Sequence, residues 1–459
     1  MSAVAAVERD LRAAVSADIV SPSAAYLTDQ TEARGLSGHA DAVALPRSSE
    51  EVAEVVAWCY AHGVAVVPRG GGTGYAGGAV PLEGGVVLSL ERLARVRSFD
   101  PTLWRMEVEA GVTTANVRRI ARESGLLFAP DPGASEQSQI GGNVATNAGG
   151  PHAYKYGVTG AWVTGVEAVV APGELVRVGG PLRKDVASYD LTSLFVASEG
   201  TLGVITSAWL RLTPAPEAAW PVVGFFDGVR AGAAAIERVV GSGLGVAALE
   251  YLDSETMRYA GPTFPGEVPA GAFGVLAEAD GSHDEAARIR NELLEVLGED
   301  ALALYAPETP REIAKLWGWR DGLALVVDAQ RGGKASEDIA VPLDRLGEAI
   351  EASLEAGKRL GIPAASWGHA GDGNLHSTYL FSREDPDAVA RAARVSDELF
   401  ALALRLGGTI SGEHGVGAVK THWLAQQLGP KASELHAAIK QAFDPKNLLN
   451  PGKKAAFPS

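Results

Sequence analysis

The sequence predicts a protein of more than one domain, in which helices and strands are mixed. Its 459 residues exceed what one hydrophobic core ordinarily serves, so two or three domains are expected. The proline-rich stretch at residues 213–216 is the clearest boundary signal. Before it, short strand patterns outnumber helical ones, and after it strands alternate with longer helices.

Before the boundary, the pattern predicts short strands around two glycine-rich loops. Residues 41–46 indicate a strand, and Ser48 resembles the N-cap of a helix that Gly63 ends. Residues 64–67 form a strand that leads into the first glycine-rich loop, residues 68–78. The other predicted elements of this half are strands at 85–90, 105–109 and 164–170, and one helix at about 113–124.

After the boundary, four long stretches carry the periodicity of amphipathic helices. They are residues 231–240, 283–297, 343–360 and 386–406. The turn-rich segment 443–453 near the C-terminus is expected to pack back on the body of the protein.

Composition excludes several classes of function. Forty basic and fifty-six acidic side chains give a net charge of −16, which argues against nucleic-acid binding. The single cysteine, Cys59, leaves no intrachain disulfide and no thiolate metal cluster. The N-terminus does not read as a secretion signal, and no window resembles a membrane span. A cytoplasmic protein is expected, with peripheral attachment to a membrane through a partner left open.

The first glycine-rich loop matches the dinucleotide pattern G-x-G-x-x-G at residues 72–77, but its context does not fit. That fingerprint needs a helix directly after the loop, whereas glycines and prolines interrupt the next dozen residues and a strand follows. Consecutive glycines can still turn their N–H groups inward and bind an anion. A second loop at 129–150 and a small-residue block at 198–206 suit a long ligand with a central diphosphate.

Two short glycine-rich stretches near the C-terminus carry the residues best suited to chemistry. Residues 369–376 read HAGDGNLH, and residues 411–417 read SGEHGVG. His369, His376 and Glu413 together form a common ligand set for a catalytic divalent metal with open positions. His414 would lie beside that metal, where a general base is useful. We interpret Asp372 and Asn374, between the two histidines, as turn residues or supports for the ligands.

In order and spacing, these five motifs resemble the vanillyl-alcohol oxidase/p-cresol methylhydroxylase flavoprotein superfamily. The histidine motifs narrow the resemblance to the branch with D-lactate dehydrogenases, the glycolate oxidase catalytic subunit and D-2-hydroxyglutarate dehydrogenase. It implies an α+β fold: a two-subdomain FAD-binding domain of the p-cresol methylhydroxylase type and a cap domain with an antiparallel sheet and helices. The expected limits are 1–215 for the FAD-binding domain, 216–425 for the cap or substrate domain, and 426–459 for a C-terminal segment that packs back on the first.

The resemblance implies FAD, and the first loop holds no histidine, so non-covalent attachment is expected. The candidate FAD contacts lie in the three small-residue motifs and are Pro68, Arg69, Gly70, Gly71, Gly72, Thr73, Gly74, Pro132, Gly133, Ser135, Gly141, Gly142, Asn143, Ala145, Thr146, Asn147, Gly149, Glu199, Gly200, Gly203 and Ile205.

The resemblance also implies roles at the reaction centre. His369, His376 and Glu413 would bind the divalent metal, Zn²⁺ or Mn²⁺/Fe²⁺, and His414 would take the substrate's hydroxyl proton. Arg320 resembles the arginine that contacts the substrate carboxylate, because a planar guanidinium suits a carboxylate; the alternative is a surface arginine on a helix. Lys334 resembles a second cation on the substrate side.

The implied reaction is oxidation of a D-2-hydroxy acid to the 2-oxo acid. Relatives that use D-2-hydroxyglutarate carry a lysine and a hydrogen-bonding residue for its distal carboxylate, at positions that Ser336 and Ala324 occupy here, and Thr378 replaces an asparagine after the second histidine. D-lactate or glycolate is therefore favoured.

The alternatives are a metal-free sugar or alcohol oxidase, a non-catalytic flavin-binding subunit of a multi-subunit oxidase, and an alkyl-transferring synthase whose histidine pattern does not match. The electron acceptor stays open among quinone, an Fe–S partner, cytochrome and oxygen, and a homodimer is considered.

Overall fold

A computed structural model of the chain describes residues 3–454. The chain divides into two compact units. Unit 1 comprises Met1–Gly149, Gly157–Ala215 and Glu413–Ser459, and unit 2 comprises Gly150–Tyr156 and Pro216–Gly412. Unit 2 thus ends at Gly412, where the sequence predicted 425, and takes a short piece from within the first predicted domain. The outer predicted limits, residues 1 and 459, lie outside the described residues.

The strands follow the chain in this order: β1 (Asp18–Val20), β2 (Ala42–Leu45), β3 (Val66–Arg69), β4 (Val86–Ser89), β5 (Val96–Asp100), β6 (Arg105–Glu109), β7 (Leu126–Leu127), β8 (Val163–Val170), β9 (Glu174–Gly179), β10 (Val204–Arg211), β11 (Thr213–Pro214), β12 (Ala218–Phe226), β13 (Ala248–Leu252), β14 (Phe273–Gly281), β15 (Ala303–Tyr305), β16 (Gly333–Ala340), β17 (Ala364–His369) and β18 (Asn374–Phe381).

The α-helices follow in this order: α1 (Ala3–Ala14), α2 (Ala24–Leu27), α3 (Ser49–His62), α4 (Thr114–Glu123), α5 (Ile140–Thr146), α6 (Ala153–Tyr156), α7 (Leu191–Phe195), α8 (Gly228–Gly241), α9 (Ser254–Ala260), α10 (His283–Gly298), α11 (Pro310–Asp321), α12 (Leu323–Asp328), α13 (Leu346–Arg359), α14 (Pro386–Arg405) and α15 (Thr421–Phe443). The last of these is kinked at Gly429, which precedes Pro430.

Unit 1 contains two main sheets, as expected of a two-subdomain α+β domain. One has the order β1-β2-β4-β3, in which β4 runs parallel to both β2 and β3. The other has the order β5-β6-β10-β8-β9 and is antiparallel. Helix α3 begins as predicted, because the Ser48 hydroxyl accepts a hydrogen bond from the Glu51 N–H and Gly63 ends the helix in a left-handed conformation.

Unit 2 is built on one antiparallel sheet with the order β15-β12-β14-β13-β17-β18-β16. Helices α8, α10, α13 and α14 pack on this sheet, and the four helical stretches predicted after residue 216 correspond to them. Helices α11 and α12 contribute Leu316, Leu323 and Val327 to an apolar cluster with Leu252 and Trp367 of the sheet. The predicted antiparallel sheet is confirmed.

The strand register of unit 2 places polar side chains of neighbouring strands on one face. Glu250 of β13 lies opposite His369 of β17, and His376 of β18 lies opposite Asp338 of β16. His376 also lies opposite Trp367, two residues before His369. Because directly opposed residues, and residues two apart in a strand, point to the same side, both histidines and both carboxylates share a face.

In the part of the chain that the structure describes, no helix combines the length and the apolar character that a membrane span requires.

Candidate active site

The glycine-rich loops of unit 1 approach each other backbone to backbone. A Cβ on Gly71 would collide with the carbonyl oxygen of Gln137, and one on Gly70 would lie 3.5 Å from the Cα of Gly142. By contrast, a Cβ on Gly142 or on Gly133 would meet nothing within 4 Å. The second predicted loop is in part helix, because Ile140–Thr146 form α5. The first loop and this helical stretch form a main-chain surface beside open space, which fits a ligand whose phosphates take backbone N–H groups. The residues present fit FAD.

Several predicted FAD contacts hold the loops together through their side chains. Asn143 donates to Thr114 Oγ1 at 2.6 Å, and the Asn147 side-chain oxygen accepts from the Gly160 N–H at 2.7 Å. Arg69 donates to the Thr28 carbonyl at 2.7 Å, and burial lowers the pKa of its guanidinium. Gly203 packs against Phe195, and Ile205 is buried in β10. The side chains of these residues support the glycine-rich segments. Their contacts with a cofactor would therefore come from main-chain groups or from van der Waals packing.

The segment 413–417 is fastened to unit 1 by Glu199. Glu199 is a buried residue, and its carboxylate accepts from the N–H groups of Val416 at 2.9 Å and Gly417 at 2.6 Å. Sequence reasoning assigned Glu199 to the cofactor, whereas its carboxylate holds the segment that carries Glu413 and His414.

The same segment meets both predicted loops of unit 1. The imidazole of His414 stacks on the ring of Tyr75, in the first glycine-rich loop, with centroids 4.8 Å apart. A Cβ on Gly149, at the end of the second loop, would collide with the carboxylate of Glu413. Unit 1 thus brings the predicted base and one predicted metal ligand to the loops that are expected to hold FAD.

The other two predicted metal ligands lie on a hairpin of unit 2. His369 ends β17 and His376 follows two residues after β18 begins, with Gly373 at the turn in a left-handed conformation, φ +66°. A Cβ on Gly373 would also collide with the carbonyl oxygen of Val341. Glycine is therefore required there both for its backbone conformation and for lack of space. The imidazole rings stand edge to face at 5.2 Å and are both buried. What the sequence indicated as a glycine-rich stretch is therefore a tight turn between two buried strands.

Glu250 links the predicted ligand His369 to the predicted substrate contact Arg320. Its Oε1 lies 2.5 Å from His369 Nδ1, and its Oε2 accepts from Arg320 Nε at 2.8 Å and from Arg320 Nη2. Burial by itself raises the pKa of Glu250, but the charge of Arg320 and the contact with His369 lower it to about 2. Arg320 is only 8% exposed, so the alternative of a surface arginine is wrong.

Asp338 organises the neighbourhood of His376. This buried carboxylate accepts from the Asn374 side-chain amide at 2.6 Å and from the Ser411 hydroxyl at 2.8 Å, and it lies 4.0 Å from His376 Nδ1. A Cβ on Gly412 would collide with the Asn374 amide. Gly412 is thereby fixed in unit 2, and Glu413 follows it by one peptide bond.

The predicted second cation, Lys334, is buried on β16 and forms an ion pair with Asp328 of α12 at 2.6 Å. The neighbouring substitutions also face each other, since the hydroxyls of Ser336 and Thr378 lie 3.0 Å apart across β16 and β18. Ala324 packs against the apolar cluster at α11 and α12. The residues around Lys334 therefore provide two hydroxyls, an alanine and a cation whose charge Asp328 already balances.

The donor chemistry of His369, His376 and Glu413 fits a divalent metal. Metal-ligating histidines usually turn one ring nitrogen toward the metal while a carboxylate binds the other. The contact between His369 Nδ1 and Glu250 is of this kind and leaves Nε2 as the nitrogen suited to coordination.

Sequence reasoning missed Glu250, Asp338 and Asp328. Glu250 did leave a signal, because it is the one charged residue in the apolar stretch ALEYL of β13. A carboxylate in a buried strand needs a partner, but the partners Arg320 and His369 lie 70 and 119 residues away in the chain. Local motifs indicated Arg320 and His369 themselves, but no local pattern could have shown that they are the partners of Glu250.

The comparisons with known proteins agree with this architecture. Residues 40–179 match the family described as FAD binding domain, and residues 215–454 match the family described as FAD linked oxidases, C-terminal domain. Among solved structures, p-cresol methylhydroxylase with bound substrate is similar with a TM-score of 0.78 at 17% identity, over 98% of this chain and 96% of that one. At such low identity the likeness shows the fold, and it confirms the predicted p-cresol methylhydroxylase type.

Relatives of higher identity cover nearly the whole chain. The glycolate oxidase subunit GlcD of Bacillus subtilis is 36% identical, over 91% of this chain and 89% of that protein. A D-lactate dehydrogenase of Archaeoglobus fulgidus is 35% identical, over 95% of this chain and 96% of that protein. A D-lactate dehydrogenase of Anaerostipes hadrus is 34% identical, over 88% and 87%. The chain belongs to the FAD-linked oxidase family, with the FAD-binding domain of the p-cresol methylhydroxylase type.

Proposed function

We propose that this protein oxidises a D-2-hydroxy acid, D-lactate or glycolate, to the 2-oxo acid. One observation carries the proposal: a guanidinium, Arg320, and a histidine suited to metal binding, His369, are joined by a single buried carboxylate, Glu250. A 2-hydroxy acid carries a carboxylate and a hydroxyl on adjacent carbons, so it needs a cation and a hydroxyl-binding group close together. The names of the relatives, glycolate oxidase subunit and D-lactate dehydrogenase, support the same substrate class.

In the proposed reaction, Arg320 binds the substrate carboxylate, for which its planar guanidinium is suited. Non-covalently held FAD, when bound, supplies the acceptor for the hydride that leaves C2. His369, His376 and Glu413 would hold a divalent ion, Zn²⁺, Mn²⁺ or Fe²⁺, which would supply Lewis-acid stabilisation of negative charge on the hydroxyl oxygen. His414 accepts the hydroxyl proton. Loss of that proton and of the hydride together converts the alcohol carbon to the carbonyl of the 2-oxo acid.

The residues around Lys334 support a small substrate with one carboxylate. Lys334 is already paired with Asp328, so a second carboxylate would have to compete with Asp328 for the same ammonium group. Ser336 and Thr378 hydrogen-bond to each other, and Ala324 offers no polar atom. A five-carbon hydroxy diacid would gain little here, whereas the hydrogen or methyl group of glycolate or D-lactate needs no polar partner.

The test is anaerobic bleaching of the flavin absorbance by a panel of D- and L-2-hydroxy acids, sugars and alcohols, with and without a chelator. We expect D-lactate or glycolate to bleach the flavin and the chelator to slow the reaction. Bleaching by sugars or alcohols alone would contradict the substrate assignment, and so would no bleaching by any 2-hydroxy acid. Bleaching that the chelator leaves unchanged would contradict the metal assignment only.

The role of His414 is tested in the same assay with His414→Asn. We expect the rate of flavin reduction to fall by about a hundred- to ten-thousandfold while metal content stays at the wild-type level. Equal rates in the two proteins would mean that another group takes the proton.

A further inference from the structure

We propose that Glu250 is a positioning residue that fixes, with one carboxylate, both the ring of His369 and the guanidinium of Arg320. This inference rests on the proposed function, because it assigns Glu250 to the support of a metal ligand and of the substrate's carboxylate contact. In this proposal Glu250 touches neither the metal, the substrate nor the cofactor.

The geometry gives each carboxylate oxygen its own task. Oε1 binds His369 Nδ1 at 2.5 Å, and Oε2 binds Arg320 Nε at 2.8 Å as well as Nη2. A hydrogen bond to Nδ1 selects the tautomer whose Nε2 carries a lone pair, which is the form that coordinates a metal. The contact with two guanidinium nitrogens fixes the orientation of the guanidinium plane. Without this contact, the long arginine side chain would adopt many orientations.

The surroundings hold Glu250 in place. The residue is 1% exposed and lies opposite His369 in the register of β13 and β17, so its backbone and that of His369 belong to one antiparallel pair. Arg320 comes from α11, whose Leu316 packs in the same apolar cluster as Leu252 of β13. Strand and helix therefore also pack together through apolar contacts, and the carboxylate sets the orientation of the two side chains.

Unit 2 also offers a matched control. Glu278 of β14 is likewise a buried strand glutamate bound by two ring N–H groups: it lies 2.8 Å from His152 Nε2 and accepts from Trp317 Nε1 at 2.7 Å. Neither partner belongs to the predicted metal site. Glu278→Gln therefore removes a comparable buried carboxylate without touching His369 or Arg320.

The experiment compares wild type, Glu250→Gln, Glu250→Asp and Glu278→Gln as FAD-loaded proteins. Binding of Zn²⁺ and of Mn²⁺ is measured by competition with a chromophoric chelator. We expect Glu250→Gln to weaken metal binding by about ten- to a hundredfold, because supports of metal ligands usually contribute that much. Glu250→Asp should recover part of this loss since it restores the charge, and Glu278→Gln should bind within about twofold of wild type. Equal losses in Glu250→Gln and Glu278→Gln, or no loss in either, would overturn the proposal.

A second measurement does not depend on metal or on turnover. Histidine-selective ¹⁵N labelling, with His369→Ala for assignment, reports the tautomer of His369 in the metal-free protein. We expect a protonated Nδ1 in wild type and in Glu278→Gln, and a loss of that preference in Glu250→Gln. If wild type binds no divalent ion, the metal assignment of the proposed function fails, while the tautomer still decides the role of Glu250. An unchanged His369 tautomer in Glu250→Gln would overturn it.

Discussion

Two buried glutamates, one in each unit, show that a lowered pKa does not by itself identify an active site. Glu250 of unit 2 and Glu167 of unit 1 are 1% and 4% exposed. Both carboxyls have a pKa of about 2, because in each case the bound cations and hydrogen-bond donors outweigh the effect of burial. Electrostatics alone would place the two residues in one class.

Their partners separate them. Glu167 accepts from Ser49 at 2.6 Å, Arg97 at 2.8 Å, Arg177 at 2.7 Å and the Thr206 hydroxyl at 3.0 Å, so it joins α3 to the antiparallel sheet of unit 1. Among these donors, Arg97 also binds Glu107 and Glu109 of β6, so the cluster links elements of unit 1 to one another. Glu250, by contrast, binds an imidazole whose other nitrogen can coordinate a metal and a guanidinium that can bind a carboxylate. The identity of the donors, and not the size of the pKa shift, distinguishes a positioning residue from a structural one.

Removing one partner from each glutamate should give the largest contrast. We expect His369→Ala to abolish tight metal binding and to lower kcat by about a hundred- to a thousandfold, because a group that stabilises the transition state is lost. Ser49→Ala, which removes a donor from Glu167, should leave metal content and kcat at wild-type values. Elemental analysis and dye-linked turnover measure both. Similar turnover in the two variants would mean that the Glu250 cluster is as structural as the Glu167 cluster.

Removing the arginine should separate the two clusters by stability. Arg320→Met leaves Glu250 without its cation, and the free energy of unfolding should fall by about 3–5 kcal/mol. The double variant Glu250→Gln/Arg320→Met should regain most of that loss, since an uncharged pair leaves no isolated buried charge. Arg97→Met should cost less, about 1–3 kcal/mol, because Glu167 keeps Arg177 and two hydroxyl donors. Urea unfolding measures all three, and a larger loss in Arg97→Met than in Arg320→Met would contradict the ranking.

Lowering the pH should reveal the contribution of Glu167 to the free energy of unfolding. Its pKa in the folded protein is about 2 against an ordinary 4.5, so its stabilisation is present above pH 4.5 and is lost as the pH falls toward 2. We expect Glu167→Gln to be less stable than wild type by at most about 3 kcal/mol near neutral pH, and this gap to narrow by about 2 kcal/mol at about pH 3. Urea unfolding at the two pH values measures the gap. Glu123→Gln, on the exposed face of α4, serves as the control and should show no such narrowing.

The smallest effect is expected at Lys334. Because Asp328 already balances its charge, Lys334→Met should lower kcat/KM for D-lactate by less than about tenfold, whereas Arg320→Met should lower it far more. Steady-state turnover with an artificial electron acceptor measures both. Equal losses would show that Lys334 contacts the substrate directly despite its ion pair.

Much of the fold followed from local pattern. The N-cap at Ser48, the strand 105–109 and the four helices after residue 216 are set by side-chain periodicity and capping, which act over a few residues. The domain limits followed less closely from the sequence. Gly150–Tyr156 belongs to unit 2 because of its contacts with distant residues of that unit. In that segment Lys155 pairs with Asp280 of β14 at 2.5 Å, a contact across 125 residues.

The sequence by itself determined the residue types of the candidate site: three histidines and a glutamate in two motifs, the glycine-rich loops, and the cations Arg320 and Lys334. Motif spacing is enough for this, since each motif is a short continuous stretch. Only the tertiary structure decided that Glu250 joins His369 to Arg320, that Glu199 holds the segment of His414, and that Asp328 balances Lys334. A buried charge takes its partner from whichever strand or helix packs beside it, and that neighbour is set by strand register and helix packing across distant parts of the chain.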